Sequence, residues 1–573
     1  MPDVKTILRL KTLLLITLIA MGCAGRVTPS TTPSAGGYDV IIENGKIVDG
    51  TGNVWFYGDL AISGDRVARI APFGALKTAS AKRRIDAKGL VVAPGFIDIQ
   101  SHSWDALLWR DGRVLGKVMQ GVTTEILGEA TTPAPINANM LALLELPDTL
   151  PQLIALHKTF AGEHGFGAWL DAMGRHANSV NVGSYLGAAT VRAYAKGQAQ
   201  GAATAAELDT MRAVVRHAME DGAFGLSSAL IYPPGSYATT AELIESAKAM
   251  SPYHGSYITH MRSEDDQLFE AMDEAFRIAR EGNVSLDIYH LKASGGPKNW
   301  VKAAGMVSKI DSARASGLDV AATMYPYAAS GNGLSSCFPD WVAENGKLLP
   351  NLRDPAIRAR VVAEMTASGS CDPVRSVSIA IMGYKKPELK KYEGWRLDQV
   401  MKDMNKSAPD AVIELTLAEE GQLGKINFSM TEENVSMQLK RPWVVIGSDA
   451  GGQNPDSAIG LTHPRAYGTF ARVLGKYVRT DSLFTLEEGV RKMTGATAAR
   501  LKLRDRGLLR EGMYADVTVF DPVTIIDKAT FDKPHRLSVG VKYVFVNGVA
   551  VVSDGKHTGA TPGRVVRGPG WKE

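Results

Sequence analysis

Residues 91 to 129 read VVAPGFIDIQSHSWDALLWRDGRVLGKVMQGVTTEILGE. An apolar run through Phe96 and Ile97 ends at Gln100, Ser101 and His102, a helix-like segment follows, and a second apolar run ends at Glu129. Both runs close on a residue type that binds metal ions. In a β/α barrel the C-terminal ends of the strands line one mouth, and the chemistry sits there.

Further strands of this kind follow. Gly95 to His102, Thr123 to Glu129, Ser179 to Gly187, Gly222 to Ser228, Ser256 to His260, Ser285 to His290, Asp319 to Tyr325 and Trp443 to Asp449 all read as strands. They alternate with helical segments, which predicts an α/β fold, a (β/α)8 TIM-like barrel over residues 94–502. AAELDTMRAVVRHAMEDG and DQLFEAMDEAFRIAREGN carry apolar residues at helical spacing and are expected to stop near Gly222 and Gly282. One interval breaks the rhythm. Residues 331–441, with the charged run YKKPELKKYEGWRLDQVMKDMNK, form an insertion between strands seven and eight, either a cover for the site or a surface decoration.

The two ends of the chain are β-rich. VIIENGKIVDG and GDLAISGDRVARI suggest hairpins at Asn44-Gly45 and Ser63-Gly64, and KYVFVNGVAVVSDG suggests a third at Asn547-Gly548. Residues 38–93 and 503–573 are therefore expected to build one small β-sandwich from both ends, with two separate β caps as the alternative. Ahead of them, Lys5, Arg9 and Lys11 precede the apolar run Leu13 to Gly22, too short for a membrane span and similar to a secretory signal. Ala20-Met21-Gly22-Cys23 resembles a bacterial lipobox, with Ala at the position usually held by Leu. Residues 1–23 thus read as a signal peptide and 24–37, including RVTPSTTPSAGG, as a flexible tether. The expectation is an exported bacterial protein, in the periplasm or at the outer membrane, touching the membrane only through a lipid on Cys23. The two other cysteines, Cys337 and Cys371, could pair in an oxidising compartment.

The 573 residues carry 64 basic and 60 acidic side chains, a net charge of +4, with no basic stripe or aromatic platform, so no nucleic-acid partner is expected. The chemistry lies at the strand ends. His102, Glu129, His260 and His290 offer imidazoles and a carboxylate suited to zinc, and Asp449 offers a base that could take a proton from water and return it to a leaving group. Each alone is readily a core histidine, a helix cap or one half of an ion pair. Five together are not.

The motifs APGFID, GVTTEILG, GAFGLSSALIYPPGSYA, THMRSE, YHLK, YPY, IGSDA, HPRAYGTFARVLGKYV and PGRVVRG, spread from Tyr38 to Gly568, resemble the D-aminoacylase (N-acyl-D-amino-acid deacylase) branch of the amidohydrolase superfamily. That resemblance implies a metal-dependent barrel with a composite β-sandwich. It implies a tight metal site of Glu129, His260 and His290, assisted by His102, and a proton shuttle at Asp449. Lys292, Arg465, Tyr232 and Tyr325 match positions that bind substrate in the family. Two departures stand out. Glu129 replaces a cysteine common in D-aminoacylases, and Gln100-Ser101-His102 replaces the family's His-x-His. Gln is a poor zinc ligand beside imidazole, so one zinc ion is expected, with two as the alternative.

The activity implied is hydrolysis of the linear amide of an N-acyl-D-amino acid or a related dipeptide, both small-molecule substrates. A dipeptidase or a cyclic-amide hydrolase of the dihydroorotase or hydantoinase kind is the alternative within the same chemistry. A non-catalytic binding lipoprotein on the same scaffold is the alternative outside it. Oligomeric state is not legible. The lipobox reading makes a direct prediction: Cys23→Ala moves the protein from the membrane fraction to the soluble fraction, and a variant that still sediments with membranes excludes a lipid on Cys23.

Overall fold

The computed structural model of the protein describes residues 37–144, 150–372 and 378–572. The residues read above as signal peptide, lipobox with Cys23 and tether, up to residue 36, lie outside the described residues. Among the described residues no helix is long and apolar enough to cross a membrane.

Eight parallel strands run in the order Phe96–Asp98, Val122–Leu127, Asn181–Ser184 continuing as Leu186–Gly187, Gly225–Ala229, Ser256–His260, Ser285–Ile288, Val320–Met324 and Val444–Ile446. The third is split: its first segment pairs with the second strand and its second segment with the fourth. The ring closes between the last strand and the first. Ser101 bridges Ala450 in parallel, the Asp449 amide donates to the Gln100 carbonyl at 2.8 Å, and His102 donates to that of Ala450 at 3.2 Å. Inside the barrel Ile97, Ile126, Tyr185, Ile258, Tyr289 and Val445 share one apolar cluster with Val566. Val566 belongs to PGRVVRG, whose backbone pairs with Val182, so the chain's last segment returns to the barrel.

The helices follow from local chemistry. Ala205–Glu220 starts at a capping box in which the Thr204 side chain accepts from the Glu207 amide and Glu207 reaches back to the Thr204 amide. Leu268–Gly282 buries Leu268, Met272, Phe276 and Ile278 along one face. It stops at Gly282, as expected, and the left-handed terminating residue is the next one, Asn283, at φ 52°. Gly282 serves packing instead, since a Cβ there would lie 2.5 Å from that of Ala247.

Strands from both ends of the chain form a single nine-stranded sheet, joined where Val91–Pro94 pairs antiparallel with Val517–Phe520. Two separate caps are thereby excluded. The hairpin at Ser63-Gly64 forms, as does that at Asn547-Gly548, where both residues have positive φ (49° and 79°). Asn44-Gly45 does not form one. Tyr38–Ile47 is one strand with a register shift at this point. Asn44 sits at φ 63°, its amide donating to Asp59 and its side chain to Asp86, so the dipeptide makes a bulge. The sheet joins the barrel through buried polar groups. Arg506 pairs with Asp516 and donates to Asn547, which donates to Asn181 on the third barrel strand at 2.8 Å.

The 331–441 insertion has its own apolar core, running from Leu334 to Leu423, and a small antiparallel sheet of Ser330–Gly333, Gly424–Asn427 and Ile379–Met382. Cys337 and Cys371 form a disulfide within it, their Cα atoms 6.0 Å apart.

Beneath the barrel mouth lies a fully buried charge cluster. The Lys117 ammonium donates to Asp98 at 2.6 Å, Ser448 at 2.5 Å and the Ala450 carbonyl at 2.7 Å, and lies 3.7 Å from Glu125. Glu125 also accepts from the hydroxyls of Ser101 and Ser103. Two carboxylates face one ammonium, and burial raises the pKa of Glu125, which favours its keeping a proton. The cluster ties the segment carrying His102 to the segment carrying Asp449. Removing one member of such a buried group costs about 3–5 kcal/mol, because the remaining charge is left uncompensated. Lys117→Met is therefore expected to lose about that much in denaturant unfolding, and a loss below about 1 kcal/mol would show that the cluster carries little of the fold's stability.

Candidate metal centre

The strands are shorter than the sequence suggests, and the site is built just past their ends. His260 is the last residue of its strand, but Glu129, His290 and Asp449 follow theirs by two or three residues. The backbone there is bent into the left-handed region, with φ 34° at His290, 52° at Asp449 and 108° at Gly128. Non-glycine residues seldom adopt it, and such strain recurs at functional sites. Gly128 has no alternative, because a Cβ would lie 2.2 Å from the Tyr185 carbonyl oxygen.

Two donor clusters result, and they share Glu129. Glu129, His260 and His290 have ligand atoms within 4.8 Å of one another, and so do His102, Glu129 and Asp449. Oε1 of Glu129 faces His290 Nε2 at 3.3 Å and His260 Nδ1 at 3.6 Å, while Oε2 faces His102 Nε2 at 3.4 Å. His102 Nε2 also lies 3.0 Å from Asp449 Oδ1. Gln100 adjoins the second cluster through Glu129. Its Nε2 donates to Glu129 Oε2 at 2.7 Å, and its Oε1 accepts from the Thr323 hydroxyl at 2.8 Å. That hydroxyl accepts in turn from the His290 amide at 2.7 Å, so its proton is directed at Gln100 and the amide orientation is fixed.

The electrostatics call for a cation. Burial opposes the charged form of His102, yet hydrogen bonds to Asp449 and Glu129 push its pKa up to about 9. Burial and Lys292 oppose it for His290, yet Glu264, Asp449 and Glu129 push it up to about 9 as well. Burial would raise Glu129, but the three imidazoles hold it well below the usual carboxylate range. Imidazole and carboxylate donors converging on one point fit zinc. For Asp449, burial acts upward, but Arg465 and His290 outweigh it, so the carboxylate is ionised, as a general base must be.

These groups open onto a cavity of about 430 Å³ that Tyr232, Lys292 and Arg465 also line, with Ser330, Gly331 and Asn332 from the start of the insertion. The insertion is therefore part of the site wall. Arg465 Nη1 lies 2.7 Å from Asp449 Oδ2 but is not aimed at it, so the contact is an ion pair without hydrogen-bond alignment, and the buried Nε has no hydrogen-bond partner among the described residues. Tyr325 does not line the cavity. Its ring lies under the Arg465 guanidinium, 4.5 Å away, and its buried hydroxyl has no hydrogen-bond partner among the described residues. Tyr232 accepts from the Gly333 amide at 3.2 Å. The Lys292 ammonium is already engaged, donating to Glu264 at 2.7 Å.

Sequence reasoning gave no role to Glu264, which touches both His260 and His290. Its one signal was its place four residues after His260 in THMRSE. Asp98 and Lys117 were missed too. An aspartate inside the apolar run of GFID was the available mark for the first.

A barrel with this mouth, and a β unit made from both chain ends, defines an amidohydrolase. The chain belongs to the amidohydrolase family, whose family model matches residues 83–552. It is 37% identical to the D-aminoacylase of Alcaligenes xylosoxydans xylosoxydans over 92% of this chain and 97% of that one. A solved D-aminoacylase, described by its binuclear metal centre with one-metal activation and second-metal attenuation, superposes with a TM-score of 0.75 at 33% identity, covering 92% of this chain and all of that one. The N-acyl-D-glutamate deacylase of Bordetella bronchiseptica, solved with zinc and a phosphonate mimic of the tetrahedral intermediate, matches at TM-score 0.74 and 31% identity over 93% of this chain and all of that one. Within the family, the chain falls in the D-aminoacylase branch.

Proposed function

We propose that this protein is a zinc-dependent hydrolase of the linear amide in N-acyl-D-amino acids, releasing a carboxylic acid and a D-amino acid. The observation that carries the reading is Glu129, each of whose oxygens faces its own donor cluster at the barrel mouth, in a chain that matches D-aminoacylases over nearly their whole length. Glu129, His260 and His290 would hold the ion, with His102 beside them. Zinc bound there supplies Lewis acidity, activating a water molecule and polarising the scissile carbonyl. Asp449, ionised and lining the cavity, takes the water's proton and returns it to the departing nitrogen. Arg465, which lines the cavity, is the substrate-carboxylate receptor, since a guanidinium can hold a carboxylate through two parallel N–H donors. Tyr232 and Lys292 form the neighbouring wall, and Tyr325 supports Arg465 from beneath.

One zinc ion rather than two is the reading that the Gln100 geometry supports. Its N–H is directed at Glu129 Oε2, and an N–H cannot ligate a metal. The sequence of residues 5–23 supports export and a lipid anchor in the periplasm or at the outer membrane.

Metal content of the purified protein and amine release from a panel of N-acyl-D- and L-amino acids, dipeptides and cyclic amides test the whole reading. About one zinc per chain with D-selective release of linear amides is expected; turnover of cyclic amides alone would replace the proposed substrate. Asp449→Asn should keep its zinc and lose about 10²-fold or more in kcat, and full activity would remove the proton-shuttle role. Gln100→His should raise the zinc content towards two per chain.

A further inference from the structure

We propose that Glu264 is the positioning residue of the metal centre, a single carboxylate that orients both ligand imidazoles and selects the nitrogen each presents to the ion. The proposal rests on the zinc-site reading above. Glu264 Oε1 lies 3.1 Å from His290 Nδ1, and Oε2 lies 3.4 Å from His260 Nε2. The opposite nitrogens, His290 Nε2 and His260 Nδ1, face Glu129. Each ring is thus held between two carboxylates on opposite edges, and the two rings stand 82° apart with centroids separated by 4.4 Å.

A neutral imidazole has one N–H and one lone pair. His102 and Asp449 gather on the Glu129 side, so the ion belongs there, and the lone pairs of both rings must point that way. With the ion on that side, both N–H groups turn to the other, where the Glu264 oxygens, 3.1 and 3.4 Å away, are the acceptors in reach. Without it, either ring is free to give its N–H to Glu129 and turn its lone pair away from the ion. Glu264 is fixed in turn by Lys292, which donates at 2.7 Å, and by its own carbonyl, which accepts from the Ser294 amide at 2.7 Å. The segments following His260 and His290 are thereby tied together. Lys292 Nζ also lies 2.7 Å from His290 Nδ1. Once that nitrogen carries the proton, the ammonium keeps Glu264 and the His290 carbonyl, 3.1 Å away.

Partners that orient metal-binding histidines typically cost 10–100-fold in metal affinity when altered. Zinc dissociation constants, from chelator competition on the full chain, are therefore expected to rise about 10–100-fold in Glu264→Gln. The visible spectrum of the cobalt-loaded variant should also change, which a merely structural residue would not cause. Because this substitution leaves the Lys292 charge buried, the double variant Glu264→Gln/Lys292→Met separates the two effects. Zinc binding as weak as in the single variant supports the proposal. Recovery to the unaltered affinity would assign the loss to the stranded ammonium and overturn it, as would a single variant with unaltered zinc affinity and cobalt spectrum. Failure of the unaltered protein to bind zinc at all would instead overturn the zinc reading, and the inference with it.

Discussion

Everything at the barrel mouth is arranged around one carboxylate. Glu129 is only 8% exposed, and burying an ionised group costs several kcal/mol unless charge and hydrogen bonds compensate it. Three imidazoles and the Gln100 amide provide that compensation, and they come from different parts of the ring: the first strand's end, and the fifth and sixth. The barrel must close for these groups to meet. Closure, in turn, depends on the contacts between Gln100 to His102 and Asp449 to Ala450, held from below by Lys117.

The support is layered. Lys117, Asp98, Glu125 and Ser448 fix the seam of the barrel, so that His102 and Asp449 face each other at 3.0 Å. Glu264 and Lys292 brace the opposite wall. Between the two, Thr323 links the Gln100 side chain to the backbone of His290. A change at Lys117, Asp98, Glu125, Ser448 or Thr323, none of which lines the cavity, would act on the centre through geometry, without touching a substrate. The insertion closes the remaining side, since its first strand lines the cavity while its own core and disulfide hold it together.

Gln100 stands where the resemblance to D-aminoacylases implies a histidine. An imidazole at that position would offer a lone pair, whereas the amide offers an N–H to Glu129 and is kept from flipping by Thr323. The amide thereby holds Glu129 at Oε2. The result is a carboxylate held by an amide on one oxygen and facing the imidazoles of His260 and His290 with the other, which suits an asymmetric centre.

The sequence determined the barrel and most of the centre's composition. Apolar runs of strand length, ended by His102, Glu129, His260, His290 and Asp449, are a local pattern, because a strand end and its metal-binding residue lie within a few positions of each other. The β-rich ends were legible for the same reason. What needed the tertiary structure was every relation across the ring. Asn44-Gly45 looks like a turn until Asp59 and Asp86 capture Asn44 in a bulge. Lys117 looks like an ordinary helical lysine until the barrel seam surrounds it with carboxylates. Glu264 is one acidic residue in a polar stretch until the fifth and sixth strands bring two histidines to it. Tyr325 and Lys292 have the right chemistry for a substrate, but only packing decides that one lies beneath Arg465 and the other is paired with Glu264. Residue type sets which bonds a side chain can make; which it makes is decided by neighbours far away in the chain, and those are chosen by the closure of the barrel.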